Sequence, residues 1–415
     1  MNIKKRRTEN FLLELACFIS LAISVVPVID YYSPWMTTMI PVLLILFITL
    51  QRNSNLFPAI AILGASTLFV AAHRFFLYPE LSFTNLILSF LPCLIAYQIR
   101  STYHNTAFFL RYLQLLAIFT GITSITTIIG LEKYPMAARE LASGTAVFDT
   151  EHYRAENIGG YEYIYALVIL IPLLVYLIKH TQGWMKALNI VILVVNIFCV
   201  YESQYTTALI LVGVAFLLLL AFRSKLAFTV TVFVLLLFWL FGGTEMLSNF
   251  FRYLSENVGQ EYVADRLLQL SQLFAGEEIN TATSTSRLDH YAHQFDLITQ
   301  KPLLGHTLLA EYNPDNISGH TFTLDWVAGT GIFGFGVVVA FFRVLYKKTV
   351  CFSRKKACST VKLTWLMLII LSVFNPVVFP LITTVAFTAC SFLQGYEEST
   401  HSLFEETTEK ERRYI

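Results

Sequence analysis

Charge is scarce in this sequence. Of its 415 residues only 14% are Asp, Glu, Lys or Arg, against about 25% in soluble domains. Apolar residues reach 56%, where about 45 to 50% is usual, so too little polar surface remains to wet a soluble globule. Lys and Arg number 29 and Asp and Glu 28. The net charge of +1 gives no global field that would gather nucleic acid, which leaves nucleic acid out of the expected partners. Glycine and proline are too few, at 19 and 12, for a collagenous or low-complexity chain. Cysteine gives no disulfide framework. Cys17, Cys93, Cys199 and Cys390 lie in apolar runs, and Cys351 and Cys358 in a basic segment. The sequence also has no HExxH motif, and His290 and His293 have no carboxylate or cysteine at ligand spacing, so neither a metal nor a cofactor is expected.

What the chain has in quantity is apolar runs near the roughly 20 residues that cross a bilayer. They fall at 11–30, 34–50, 57–73, 83–98, 107–130, 161–178, 187–203, 205–222, 227–243, 320–342, 362–378 and 379–395. The runs do not alternate as membrane strands do, and backbone in lipid must satisfy its own hydrogen bonds. The expected fold is therefore an all-α polytopic membrane protein with about twelve transmembrane helices. The basic residues set its orientation, since positive charge stays on the cytoplasmic side. With Lys4 to Arg7 inside, 20 Lys and Arg fall inside and 8 outside, Arg111 lying within a run. Both termini are expected in the cytoplasm. The first run follows a basic stretch, but Asp30-Tyr31-Tyr32 offers no signal-peptide cleavage site, so it is read as a mature helix.

This divides the chain into helices 1 to 5 (1–130), a first extracytoplasmic loop (131–160), helices 6 to 9 (161–243), a large extracytoplasmic loop (244–319), helices 10 to 12 (320–395) and a cytoplasmic tail (396–415). The large loop should hold short helices. Apolar residues at helical spacing predict an amphipathic helix over 251–274, lying against the membrane surface. A second helix should begin near Ser286, with Asp289 completing a capping box and Leu288, Tyr291, Phe295 and Ile298 forming its apolar stripe. Its polar face would carry Arg287, His290, His293 and Gln294.

Few arginines stand in the two external loops, and each is a candidate for holding an anion. Arg154 precedes Asn157-Ile158-Gly159-Gly160, and Arg287 opens the predicted second helix; Arg139 and Arg266 share their side but have no comparable motif. His320 should fall in the first turn of the tenth run, where the helix dipole favours a neutral imidazole able to accept a proton from a hydroxyl. Asp325 follows as a pocket candidate, and Ala328, Gly331 and Gly334 form a small face on which another helix could pack. Glu14 and Arg111, ionisable groups within runs, are read as near enough to the interfaces to snorkel.

His320-Thr321, nine residues, then Gly331-Ile332-Phe333-Gly334 resembles the histidine-to-glycine motif of the O-antigen ligase and polymerase superfamily. Ser286-Arg287, Tyr291 and Pro302-Leu303-Leu304-Gly305 resemble that family's arginine, aromatic and Pro-Leu-x-Gly signature. Arg154 with its glycines is similar to the segment before a middle span. The detailed resemblance covers about 131–175 and 284–336, with Thr321 and Tyr291 departing from the family's usual residues. It implies a metal-independent glycosyltransferase in the cytoplasmic membrane of a bacterium. Such an enzyme would transfer a growing glycan from undecaprenyl diphosphate onto the next lipid-linked repeat unit, building capsule, exopolysaccharide or O-antigen. It further implies His320 and Arg287 as catalytic residues and Arg154 as a residue of the donor diphosphate; Arg139, Arg266 and Asp325 join it as expected substrate-binding residues on their position alone. An upstream flippase and a chain-length regulator would be partners. A ligase of finished glycan and a flippase or transporter of lipid-linked oligosaccharide remain alternatives.

Overall fold

The structure is a computed structural model that describes residues 3–32, 43, 56–77, 89–102, 105–143, 152–240, 242–259, 261–275, 287–307, 321–351, 358–398 and 400. Among these there is no strand, and the chain is an all-α membrane protein. The helices are α1 (Ile3–Val25), α2 (Pro27–Tyr32), α3 (Leu56–Phe76), α4 (Leu91–Thr102), α5 (Thr106–Lys133), α6 (Ala137–Ser143), α7 (Tyr161–His180) and α8 (Gly183–Glu202). There follow α9 (Thr206–Ala221), α10 (Lys225–Leu240), α11 (Gly243–Asn257), α12 (Glu261–Ala275), α13 (Arg287–Gln300), α14 (Thr323–Thr349) and α15 (Ser359–Phe374). The last, α16, opens as Pro380–Thr383, widens to a π-helix over Thr384–Ala389 and continues to residue 398. Of the described helices, α5, α7, α8 and α14 are long and apolar enough to cross a membrane, and α9, α15 and the 61–76 part of α3 are shorter apolar helices. Apart from residue 43, the run at 34–50 lies outside the described residues.

The centre of the bundle is α7, apolar all round and buried from Tyr163 to Leu174, as a helix without a polar face must be. Its neighbours are α5, α6, α8, α9, α15 and α16. Between α5 and α8 the contact is made specific by polar pairs. Gln114 Nε2 donates to Asn189 Oδ1 (2.7 Å), and Ser124 meets both Asn196 Oδ1 (2.8 Å) and Tyr163 Oη (2.8 Å). Such side chains hold helices together where the hydrophobic effect between them is weak. Glu14 and Arg111, far apart in sequence, pair at 3.1 Å.

One end of the bundle gathers the N-termini of α7, α9, α14 and α16, and the other is closed by an ion pair. There Arg100, at the end of α4, meets Glu398 at 2.7 Å, and its guanidinium also donates to the Val350 carbonyl that ends α14. Both charged side chains are largely buried. Removing one member of a buried pair leaves the other charge uncompensated, at a cost of ~3–5 kcal/mol. Arg100→Ala is therefore expected to lower the thermal midpoint of the detergent-purified protein strongly, as read by intrinsic fluorescence. A midpoint equal to wild type would show that the clamp contributes nothing.

The segment read as one amphipathic helix at 251–274 is two helices. α11 ends at Asn257 and α12 starts at Glu261, with three residues between them, and the two fold back as a hairpin. Ser248 Oγ and Ser271 Oγ lie 3.1 Å apart, and Phe251 stacks on Phe274 at 5.7 Å. The apolar spacing runs through Gly259 without interruption, but folding back lets α11 and α12 bury part of their apolar faces against each other.

Candidate active site

α14 is two helices joined at a break. At Gly331 the backbone adopts φ 68° and ψ −176°, a region open essentially to glycine alone. A break inside a membrane helix frees backbone groups that only other protein can satisfy. Here the turn after α13 does so. His306 N and Thr307 N donate to the Ala328 and Gly329 carbonyls (3.1 and 2.8 Å), and Thr307 Oγ1 adds a bond to Gly329 O (2.6 Å). In return Ile332 N and Phe333 N donate to Pro302 O (2.9 Å) and Leu303 O (3.3 Å). The Pro302–Gly305 and Gly331–Gly334 segments are thus braced main chain to main chain. A Cβ at Gly305 would collide with the Gly329 carbonyl, and one at Gly331 with that of Leu303. The small residues Ala328, Gly331 and Gly334 therefore do not form the continuous helix-packing face expected from their spacing. Once Gly331 leaves the helical region the face is interrupted, and a turn, not a helix, fills the space.

The brace fixes α13 alongside the first half of α14. His306 Nε2 donates to Leu297 O (2.9 Å), and at the other end of α13 the Tyr291 hydroxyl donates to Phe374 O (3.3 Å) where α15 stops. The start of α14 is tied to the same place. Phe322 N donates to Ser372 O (3.1 Å), and the Thr323 and Ser372 hydroxyls are 2.9 Å apart. Asp325, with no exposed surface, reaches back to accept from Thr321 N (3.1 Å), which closes the first turn in the manner of a capping box. His320 lies outside the described residues, immediately before this capped turn. Ser286 is outside them too, and Arg287 is the first residue of α13.

Asp325→Ala would leave Thr321 N–H buried without an acceptor, a cost of about 1–3 kcal/mol. Because the loss falls on Thr321, next to His320 in the chain, it is expected to lower any activity that depends on His320 more than thermal stability. Asp325→Asn, which keeps an acceptor oxygen, should retain most activity. Equal loss in both variants would show that the carboxylate charge, not the cap, is what matters.

Arg154 and Arg139 belong to a neighbouring group at the same end of the bundle. The Arg154 segment is a tight turn. Asn157 sits at φ 59°, its Oδ1 accepts from Val28 N (3.1 Å), and its Nδ2 donates to Thr126 Oγ1 (2.7 Å). Arg154 itself is exposed, on the short turn before it. On α6, the Arg139 guanidinium lies 6.0 Å from the centroid of Tyr205, within cation–π range, and the Tyr205 hydroxyl donates to Ala138 O (2.8 Å). Tyr205 packs on Tyr161, and Tyr161 on Phe379. Next to Tyr161, Glu162 accepts from Leu381 N at the start of α16. The non-helical link 375–379 thereby joins the two groups, since its first end meets Phe322 and its last meets α7. Arg266 is on α12, where it donates to Gln269 Oε1 (2.7 Å).

Two side chains at this end carry no signal in the sequence. His73, buried near the end of α3, stacks on Trp326 (5.5 Å) and Phe69 (5.8 Å). A lone histidine after an apolar run reads as an ordinary interface residue, and only the fold brings it to the first turns of α14. Glu162 reads as a helix-start acid, while its partner is 219 positions away.

Among the described residues no three His, Cys, Asp or Glu side chains gather as metal ligands would. Comparison of the chain with protein-family models, curated proteins and solved structures finds no match in any of the three.

Proposed function

We propose that this chain is a polysaccharide polymerase of the O-antigen polymerase and ligase type. It would have twelve spans and both termini in the cytoplasm, and would act at the outer face of a bacterial cytoplasmic membrane. The observation that carries this reading is the backbone brace. The two segments whose sequence resembles the family's glycine motifs, Pro302–Gly305 and Gly331–Gly334, hold each other, and they couple the helix opened by Arg287 to the one that follows His320. A motif pair that met only by chance in sequence would have no reason to meet in space.

In the proposed reaction His320 takes the proton of an acceptor sugar hydroxyl on the incoming lipid-linked repeat unit. The hydroxyl oxygen bonds to the anomeric carbon of the growing chain as the bond from that carbon to undecaprenyl diphosphate breaks. Arg287, with Arg154, Arg139 and Arg266 as further anion-binding arginines, stabilises the charge that develops on the departing diphosphate. Asp325 holds Thr321, the residue that follows His320 in the chain. No nucleotide sugar is needed, because the donor is already activated as a diphosphate ester. A flippase would supply the repeat unit and a chain-length regulator would limit the product.

The test is to extract lipid-linked and surface glycan from cells that lack the gene. A polymerase leaves single repeat units on lipid at the outer face. Full-length polymer retained on lipid would mean a ligase, and repeat units confined to the inner face a flippase.

A further inference from the structure

The side of α13 turned into the protein is not the apolar stripe its sequence displays. Phe295 is 57% exposed, while Gln294 is completely buried and Leu297 nearly so. Among the described residues, neither the oxygen nor the nitrogen of the Gln294 amide has a hydrogen-bond partner. A buried primary amide can donate twice and accept twice, and leaving all of this unused is a considerable penalty. The residue cannot escape it by swinging away with its helix. α13 is pinned on both sides of Gln294, by Tyr291 to the end of α15 and by Leu297 through His306 to Ala328 of α14. These two ties set α13 parallel to α14 and put Gln294 level with the first turns of α14, which follow His320. Two more neutral polar groups, Thr321 Oγ1 just before α14 and Trp326 Nε1 in its first turn, are buried without partners among the described residues.

We propose that Gln294 recognises a neutral sugar of the repeat unit at the transfer site. Its amide nitrogen donates to, and its amide oxygen accepts from, hydroxyl or acetamido groups of one ring. An uncharged amide suits this task and not the diphosphate, for which arginines are present. The inference rests on the polymerase reading and adds to it the residue that reads the glycan as distinct from its lipid diphosphate.

The experiment compares wild type with Gln294→Met, nearly the same shape without the amide, and with Gln294→Leu, each purified as full chain and reconstituted in liposomes. Three quantities are read: thermal midpoint, steady-state elongation of an undecaprenyl-diphosphate-linked repeat unit, and binding of that lipid against undecaprenyl diphosphate alone. Replacing a buried unpartnered amide by an apolar isostere leaves the fold as stable or more so. The thermal midpoint should therefore hold or rise, while KM for the repeat unit rises about 10-fold or more. Binding of the repeat unit should weaken as binding of undecaprenyl diphosphate stays unchanged. An unchanged KM with a raised midpoint would overturn the proposal and leave the polymerase reading standing, with Gln294 as a core amide only. A lowered midpoint in both variants, with both lipids bound more weakly, would make its role structural and overturn it as well. Failure of wild type itself to elongate the repeat unit would overturn both readings together.

Discussion

His320→Ala, at a membrane level matched to wild type, is expected to slow incorporation of repeat units by at least ~100-fold, the lower bound for losing a positioned general base. Arg287→Ala should fall by a similar factor, since one positioned donor to a developing anion is commonly worth ~10²–10³. The two substitutions should differ in how they can be repaired. Arg287→Lys keeps the positive charge but loses the planar fork that binds two diphosphate oxygens at once, so it should recover activity only in part. The measurement is the initial rate of polymer formation from lipid-linked repeat unit by detergent-solubilised protein. Neither alanine variant should lose more than a few degrees of thermal midpoint. If His320→Ala retains the wild-type rate, the base assignment fails. Unequal losses, with Arg287 dispensable, would move the diphosphate to Arg154 and Arg139 across the 375–379 link.

Gly331→Ala is expected to remove the folded protein from the membrane fraction. The cost of forcing a non-glycine residue into its backbone conformation is about 1–3 kcal/mol on its own. To that is added a collision between the new methyl and the Leu303 backbone, which cannot yield without opening the brace. Further along the same helix, Gly336 has open space around its would-be Cβ and ordinary helical backbone. Gly336→Ala should therefore be neutral or stabilising by up to about 1 kcal/mol. The pair gives an internal control, read by size-exclusion profile and thermal midpoint after extraction. Equal stability of the two variants would show that the break at Gly331 is not needed for folding.

The contrast between these two glycines marks where sequence reading reaches its limit. Long apolar runs announce α5, α7 and α8 directly, because a bilayer demands length and apolarity whatever the neighbours are. The brace is not visible in the same way. Glycines three apart fit a close-packed helix face as well as they fit a broken helix, and only the partner, the turn at Pro302–Gly305, decides between them. The inward face of α13 is hidden for a related reason. An apolar stripe predicts which face of a helix turns inward, but the packing of α13 leaves Phe295 outside and buries Gln294 instead. Long-range partners such as Glu14 with Arg111, Arg100 with Glu398, and Glu162 with Leu381 leave no local pattern at all. The Asp325 cap was half legible, since a carboxylate near a helix start suggested a pocket group while its acceptor role toward Thr321 N came from the fold.

The central claim is transfer of a glycan between two lipid-linked repeat units without any other substrate. The most direct measurement supplies purified wild-type protein in liposomes with a single undecaprenyl-diphosphate-linked repeat unit, with no nucleotide sugar and no partner protein, and resolves the products by size. A ladder of lipid-linked oligomers, with one undecaprenyl diphosphate released for each unit added and no ladder from His320→Ala, is the predicted result. A folded wild-type protein that leaves the repeat unit unchanged, or that carries it across the bilayer without forming a new glycosidic bond, would contradict the account.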